Sequence, residues 1–151
     1  MSYDGVMHLY TTYGGSTKSV SNDEIGGFGL GSKSPFAYAD QFTVESTYNG
    51  ELMLFSASIS ATGEPEIAHI QTMNSDQPNG VTVKVPVKSD DVWTWESKCK
   101  DFLRRTDCEF DCNVPYEPFE YNYEGSFFKG YSSNQWRDKL YVKQGIVTYP
   151  V

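Results

Sequence analysis

Ten residues, 25–34, carry the strongest chemical signal in the sequence. They read IGGFGLGSKS, with four glycines ahead of a serine and a lysine. Glycines let a backbone approach a ligand closely, and the free N–H groups at the start of a following helix favour an anion, usually a phosphate. The segment therefore predicts a phosphate-binding turn. A glycine-rich turn that caps a helix without any ligand explains the same residues, so both interpretations remain open on the glycines alone.

Two common phosphate-binding motifs do not fit these glycines. A Walker A loop needs GxxxxGK[ST], and although Gly26 and Gly31 have the required separation, Ser32 stands between Gly31 and Lys33. A dinucleotide fingerprint needs GxGxxG after a buried strand, whereas these glycines alternate with single residues after a polar loop. Neither motif is present in its standard form.

The surrounding pattern predicts the elements that position this segment. Apolar residues recur at helical spacing over 3–13, and the polar stretch 14–25 predicts a loop of the length that lids often have. Because Pro35 fits a helix only within its first turn, a helix is predicted to begin close to residues 32–34. Alternation predicts an antiparallel meander of four strands, with a first hairpin turn at Asn49-Gly50; the strands cover 41–48, 51–59, 66–73 and 80–87.

The second half of the chain has a different character. The apolar spacing over 89–105 predicts a helix. Its apolar face would contain Val92, Trp95, Cys99, Phe102 and Leu103. The stretch 107–151 is aromatic and rich in turn residues, and only LYVKQGIVTYPV predicts strand. Three segments are therefore expected: a domain over 1–88, a connecting helix over 89–106, and the start of a second domain over 107–151.

Composition limits the classes of function. The formal net charge is -8 and the pI is near 4.6, which argues against sequence-independent binding of nucleic acid. No apolar run approaches the roughly 20 residues of a membrane-spanning helix, and no signal peptide is evident, so a cytoplasmic location is expected. The three cysteines have no paired CxxC spacing and the two histidines lie far apart in sequence, so neither a disulfide framework nor a zinc site is implied.

The order of loop, IGGFGLGSKSPFAYAD, hairpin and GVTVKV resembles the latter part of the Bergerat ATP-binding fold of the GHKL superfamily. Within it, LYTTYGGSTK followed by GGFGLGSKSPFAYAD is most similar to the rIIA-like proteins of tailed phages. The resemblance covers about residues 6–87. It implies an α+β fold, namely a truncated two-layer sandwich with an antiparallel sheet and helices on one face. It further implies that a transducer-type second domain begins after that sandwich.

The resemblance also implies a binding site for ATP and its magnesium ion. Gly26, Gly29 and Gly31 would form the glycine turn of the lid motif, with backbone amides from Gly29 to Ser32 facing the phosphates. A small-hydroxyl and lysine segment at the base of the lid would add further contacts. The implied binding residues are Thr17, Lys18, Gly26, Gly29, Leu30, Gly31, Ser32 and Lys33.

Several features of the family are missing from these 151 residues. The family's catalytic Glu, its magnesium-binding Asn and its adenine-reading DxGxG segment have no counterpart, and Asp4-Gly5 lacks the further glycine of that motif. Val81 follows Gly80 where the family has Thr, so Thr82 is expected on the opposite strand face. We therefore expect no catalytic residue or metal ligand in this chain. ATP binding is expected only when an N-terminal half is supplied, and no hydrolysis by the chain alone.

Three functions remain open at this stage. The first is the phosphate-binding half of a GHKL ATPase, completed by an N-terminal half or by a homologous chain. The second is a non-enzymatic phage protein that binds a host or phage protein, with the family implying lysis timing, superinfection exclusion or host-defence interference, and peripheral association with the inner membrane. The third is a gene fragment without an independent role.

Overall fold

The computed structural model describes residues 1–12, 31–106, 110–130, 141–144 and 147–150. The chain divides into two compact units, Met1–Val87 and Lys88–Val151, which are described separately. The first unit combines helices with a four-stranded antiparallel sheet, so the expected α+β class is confirmed. Its elements are α1 (Tyr3–Thr11), a 3-10 helix (Gly31–Ala37), β1 (Gln41–Tyr48), β2 (Glu51–Ile59), β3 (Pro65–Asn74) and β4 (Gly80–Lys84).

The strand order is β3-β2-β1-β4, so the prediction of a simple meander is wrong. The last strand pairs with β1 instead of β3, and its register places Val83 opposite Val44. Two hydrogen bonds hold the segment between β3 and β4 against the turn of the β1–β2 hairpin. The amide of Ser75 donates to the carbonyl of Gly50 at 2.8 Å, and the amide of Asn49 donates to Oδ1 of Asn79 at 2.9 Å. They carry the chain past the β1–β2 turn to the free edge of β1.

The β1–β2 hairpin follows its sequence signal closely. Asn49 and Gly50 both have positive φ, 51° and 84°, as the two central residues of a type I′ turn require. The pairing then sets Val44 opposite Phe55, and both side chains are fully buried. Because side chains alternate along a strand, every second residue of β1 and β2 lies on this face.

Helix α1 covers that face of the sheet. Ser2 caps the helix by accepting a hydrogen bond from the amide of Gly5 at 3.3 Å. Val6 and Tyr10, one turn apart, are both buried. Together with side chains of the first three strands they form the core: Val6, Tyr10, Phe42, Val44, Met53, Phe55, Ala57 and Ile67.

The helix after the glycine-rich segment is a 3-10 helix, and it begins at Gly31, just before the expected start. Pro35 lies inside it and has no amide hydrogen to donate. The Oγ atom of Ser34 donates to the carbonyl of Gly31 at 2.8 Å, and the amides of Tyr38 and Ala39 both donate to the carbonyl of Pro35. Pro35 therefore contributes to the hydrogen bonds of this region as an acceptor only.

The second unit begins with a 3-10 turn (Ser89–Asp91) and α2 (Val92–Leu103). Of the predicted apolar helix face, only Leu103 is buried, whereas Trp95 and Phe102 remain exposed. Arginine–aromatic contacts fix the end of the helix, with the guanidinium of Arg104 centred 4.3 Å from the ring of Phe119. Two hairpins follow, formed by β5 (Tyr123–Glu124) with β6 (Lys129–Gly130), and by β7 (Tyr141–Gln144) with β8 (Val147–Pro150).

Candidate phosphate-binding site

Three of the eight predicted phosphate-binding residues lie in the described part of the chain. Gly31, Ser32 and Lys33 form the first turn of the 3-10 helix. The other five fall within 13–30, outside the described residues: Thr17, Lys18, Gly26, Gly29 and Leu30. The structure therefore bears on the downstream end of the predicted site.

Lys33 is held at the end of α1. Its Nζ atom donates to the carbonyl oxygen of Leu9 at 2.5 Å and to Oγ of Ser32 at 3.3 Å. The Oγ atom of Ser32 also donates to the carbonyl of Leu9, at 3.3 Å. Only 9% of the Lys33 surface is exposed, and burial lowers the pKa of its ammonium group.

The hydrogen bond from Lys33 to Leu9 stabilises the C-terminus of α1. The last carbonyls of an α-helix lack partners within the helix, and a cation there interacts favourably with the helix dipole. The preceding carbonyls find local donors, since Oγ1 of Thr11 donates to Met7 at 2.8 Å and the amide of Thr12 donates to His8 at 3.1 Å. The carbonyl of Leu9 instead accepts from Lys33 and Ser32, which follow residues 13–30 in sequence. Residues on the two sides of 13–30 thus meet at one place.

An aromatic contact fixes the same 3-10 helix to the core. The ring of Phe36 meets that of Phe42 edge-on, with 4.7 Å between centroids, and Tyr10 approaches Phe42 at 6.0 Å. Edge-to-face pairs of this kind add stability beyond the area that they bury. Two contacts therefore position the 3-10 helix. Phe36 packs on the sheet, and Lys33 bonds to α1.

Two positions discussed from the family pattern can be placed. Thr82 pairs with Glu45, on the sheet face away from α1, whereas Val81 pairs with Ser46 on the core face. The alternation expected for Thr82 is confirmed. Asp4 lies in the first turn of α1, where a carboxylate interacts favourably with the helix dipole.

Sequence reasoning did not single out a depression beside the end of β4. It has a volume of about 440 Å³. Its lining combines apolar and polar side chains: Gln41, Phe42, Thr43, Lys84, Val85 and Pro86. The depression lies where the pairing of β4 with β1 ends at Lys84, and Pro86, which cannot donate to a ladder, follows two residues later. Phe42, which lines the depression, also contacts Phe36 of the 3-10 helix.

Across the described ranges, no group of three His, Cys, Asp or Glu side chains is arranged to hold a metal ion. Within those ranges, too, no helix combines the length and apolar character needed to cross a bilayer. Cys99 on α2 and Cys112 are free thiols that hydrogen-bond with each other. The pKa of the Cys99 thiol is raised, mainly by burial and secondly by this hydrogen bond.

No protein-family model, curated protein or solved structure matches the chain. The likeness to GHKL proteins therefore depends on the residues quoted above.

Proposed function

We propose that the first unit is the phosphate-cradling half of a nucleotide-binding fold of the GHKL type, similar to the rIIA-like proteins of phages. It would bind the triphosphate of ATP together with a complementary N-terminal half, and it would not hydrolyse ATP alone. The contact of Lys33 and Ser32 with Leu9 is the observation that supports this proposal most. It brings together residues on the two sides of 13–30, which contain the predicted lid loop and the first part of the glycine-rich segment, and a lid over a triphosphate requires its two ends to be held in this way.

The chemistry proposed for this site is electrostatic. A triphosphate needs several N–H donors and cations arranged in advance, because it binds through charge and hydrogen bonds. Amides from Gly29 to Ser32 would supply the donors, and Lys18 the charge at the base of the lid. Phosphoryl transfer further requires a group that orients water and a residue that holds magnesium. We assign neither role to any residue of this chain.

Gly31 allows a clean test of the phosphate contact. A Cβ added there would meet nothing within 4 Å, and its φ is not in the left-handed region. We therefore expect Gly31→Ala to leave folding intact while its methyl group blocks the approach of phosphate. Binding of a fluorescent ATP analogue to the chain, mixed with the N-terminal half of an rIIA-like protein, should weaken about tenfold, equivalent to about 1.4 kcal/mol.

The matched control is Gly63→Ala in the β2–β3 turn. Gly63 has a φ of 86°, so alanine strains the backbone there and should lower the melting temperature. It should leave the affinity for the analogue unchanged. Equal affinities of wild type and Gly31→Ala would refute the phosphate role. Magnesium-dependent ATP turnover by the isolated chain would refute the division into two halves.

A second candidate function is the binding of another protein, and the edge of the sheet favours it. Strand β3 is ten residues long and lies at the edge, and Ile70 and Met73 on it are 56% and 44% exposed. Edge strands of this kind pair readily with other chains. A stoichiometric partner that is retained with or without nucleotide, and lost with Ile70→Lys, would favour this function over the first.

A further inference from the structure

The hairpin of β5 and β6 presents aromatic side chains to solvent. Phe127 at its tip is as exposed as in an extended chain, at 101%, and its neighbour Phe128 is 64% exposed. Tyr121 and Tyr123 on the same hairpin are also exposed. Soluble proteins rarely expose apolar groups in such a cluster, and clusters of this kind mark sites of interaction.

The tip is built to hold this arrangement. The amide of Gly125 donates to the carbonyl of Phe128 at 2.9 Å, and Nζ of Lys129 lies 3.3 Å from Oε1 of Glu124 across the turn. The ring of Phe128 lies over Gly125, where an added Cβ would be 2.3 Å from a ring carbon. Only glycine at 125 permits this packing. Phe128 is thereby fixed against the backbone, while Phe127 projects from it.

An exposed aromatic ring is the kind of group that dominates binding energy at protein interfaces. Such anchors fill apolar pockets in the partner, and a turn whose backbone is held beforehand lowers the entropic cost of association. The hairpin supplies one free anchor, Phe127, and a supporting aromatic surface from Phe128 and Tyr123.

The charge of the segment that contains the hairpin limits the chemistry of the partner. Residues 110–130 contain four carboxylates, Asp111, Glu117, Glu120 and Glu124, and one cation, Lys129, which is already paired with Glu124. All of these side chains are exposed. A negatively charged surface is repelled by anionic lipid headgroups and attracted by lysine and arginine.

We propose that the tip of the β5–β6 hairpin is a docking element that inserts Phe127 into an apolar pocket of another protein, and that Lys or Arg side chains border that pocket. The exposed carboxylates of 110–130 would pair with this basic rim. The proposal is independent of nucleotide binding, because it concerns residues of the second unit alone.

The test places a photo-crosslinking phenylalanine at position 127 of the full chain in the cells that normally produce it. The same probe at the exposed Trp93 is the positional control. We expect one protein to be crosslinked from position 127 and not from 93. The purified form of that protein should bind the chain with a dissociation constant that Phe127→Ala raises about 30-fold, the scale of an interface hot spot. Salt at about 0.5 M should weaken the complex further, since the rim is ionic.

Two variants keep the outcome interpretable. Ser126→Ala, next to the anchor, should leave the dissociation constant unchanged. Gly125→Ala retains Phe127 but displaces Phe128, so it should weaken binding without removing the anchor. Because Phe127 is fully exposed, Phe127→Ala should not change the melting temperature of the chain.

Several results would overturn the proposal. One is the absence of a crosslink specific to position 127, and another is an identified partner whose affinity is unchanged in Phe127→Ala. Binding of the chain to phosphatidylcholine vesicles, with or without about one quarter phosphatidylglycerol, that is lost in Phe127→Ala would assign the tip to a lipid surface. Concentration-dependent dimerisation in sedimentation, lost in the same variant, would assign it to a second copy of the chain.

Discussion

The Nζ atom of Lys33 lies 2.5 Å from the carbonyl oxygen of Leu9, 24 residues earlier in the chain. A lysine of the 3-10 helix thus bonds a carbonyl in the last turn of α1, and the predicted lid loop and residues 25–30 of the glycine-rich segment lie between the two in sequence. In the proposed function, this contact fixes where the lid begins and where it ends. The family pattern offers Lys18 as a phosphate contact and Lys33 as a weaker one, and the ammonium of Lys33 already donates to Leu9 and Ser32.

Replacing Lys33 by methionine should destabilise the first unit by about 1 kcal/mol. The change keeps an apolar chain of similar length but removes both the donor to Leu9 and the charge at the helix end. Urea denaturation followed by circular dichroism measures the difference.

Lys84→Met is the matched control for this prediction. Lys84 pairs with Glu45, and its side chain is 59% exposed, so the loss should be at the low end of surface ion pairs, about 0–0.5 kcal/mol. If the two variants are equally stable, the contact between Lys33 and Leu9 contributes nothing to folding.

The first hairpin could be predicted almost residue by residue. Its two strands alternate apolar and polar residues, and Asn49-Gly50 fits only one common turn type. Both signals are local, so the sequence contains them completely. The position of β4 was not predictable in this way. It depends on hydrogen bonds that Ser75 and Asn79 make with the β1–β2 turn. These bonds form only once the hairpin exists.

The candidate site shows the same limit. That a helix begins near Gly31 follows from glycine and proline signals, but its 3-10 geometry and its attachment to the sheet depend on Phe36 meeting Phe42. The position of Lys33 was not predictable, because a lysine after a glycine turn is consistent with a phosphate contact, a helix cap or a solvated charge. The choice depends on where α1 ends in space.

Phe55→Ala should be the most damaging single change in the sheet. Phe55 is fully buried between α1 and the strands, and truncation of such a ring costs about 3–5 kcal/mol. Leu54→Ala, one residue earlier and on the opposite face, removes a half-buried side chain and should cost much less. Equal losses in urea denaturation would contradict the assignment of the two faces.

Tyr10 should make the stability of the chain sensitive to alkaline pH. Burial raises the pKa of its phenol, so the folded state holds the proton more tightly than the unfolded state. The resulting stabilisation is fully present below about pH 10, the ordinary value for tyrosine, and is lost as the pH rises through the folded-state pKa. The difference in unfolding free energy between wild type and Tyr10→Phe should therefore be constant near neutral pH. Above about pH 10 the unfolding free energy of the wild type should fall relative to that of Tyr10→Phe. A pH-independent difference would contradict the burial of this phenol.

Cys99 should react slowly with iodoacetamide near neutral pH. Burial, and secondly the hydrogen bond with Cys112, raise the pKa of its thiol, so little of the reactive thiolate is present. Mass spectrometry of the peptide containing Cys99 should show slow labelling of the folded chain and fast labelling in urea, where both effects are lost. In Cys112→Ala the rate should rise only in part, because the first cause, burial, remains. Labelling of the folded chain at the rate seen in urea would show that the Cys99 thiol is neither shielded nor paired.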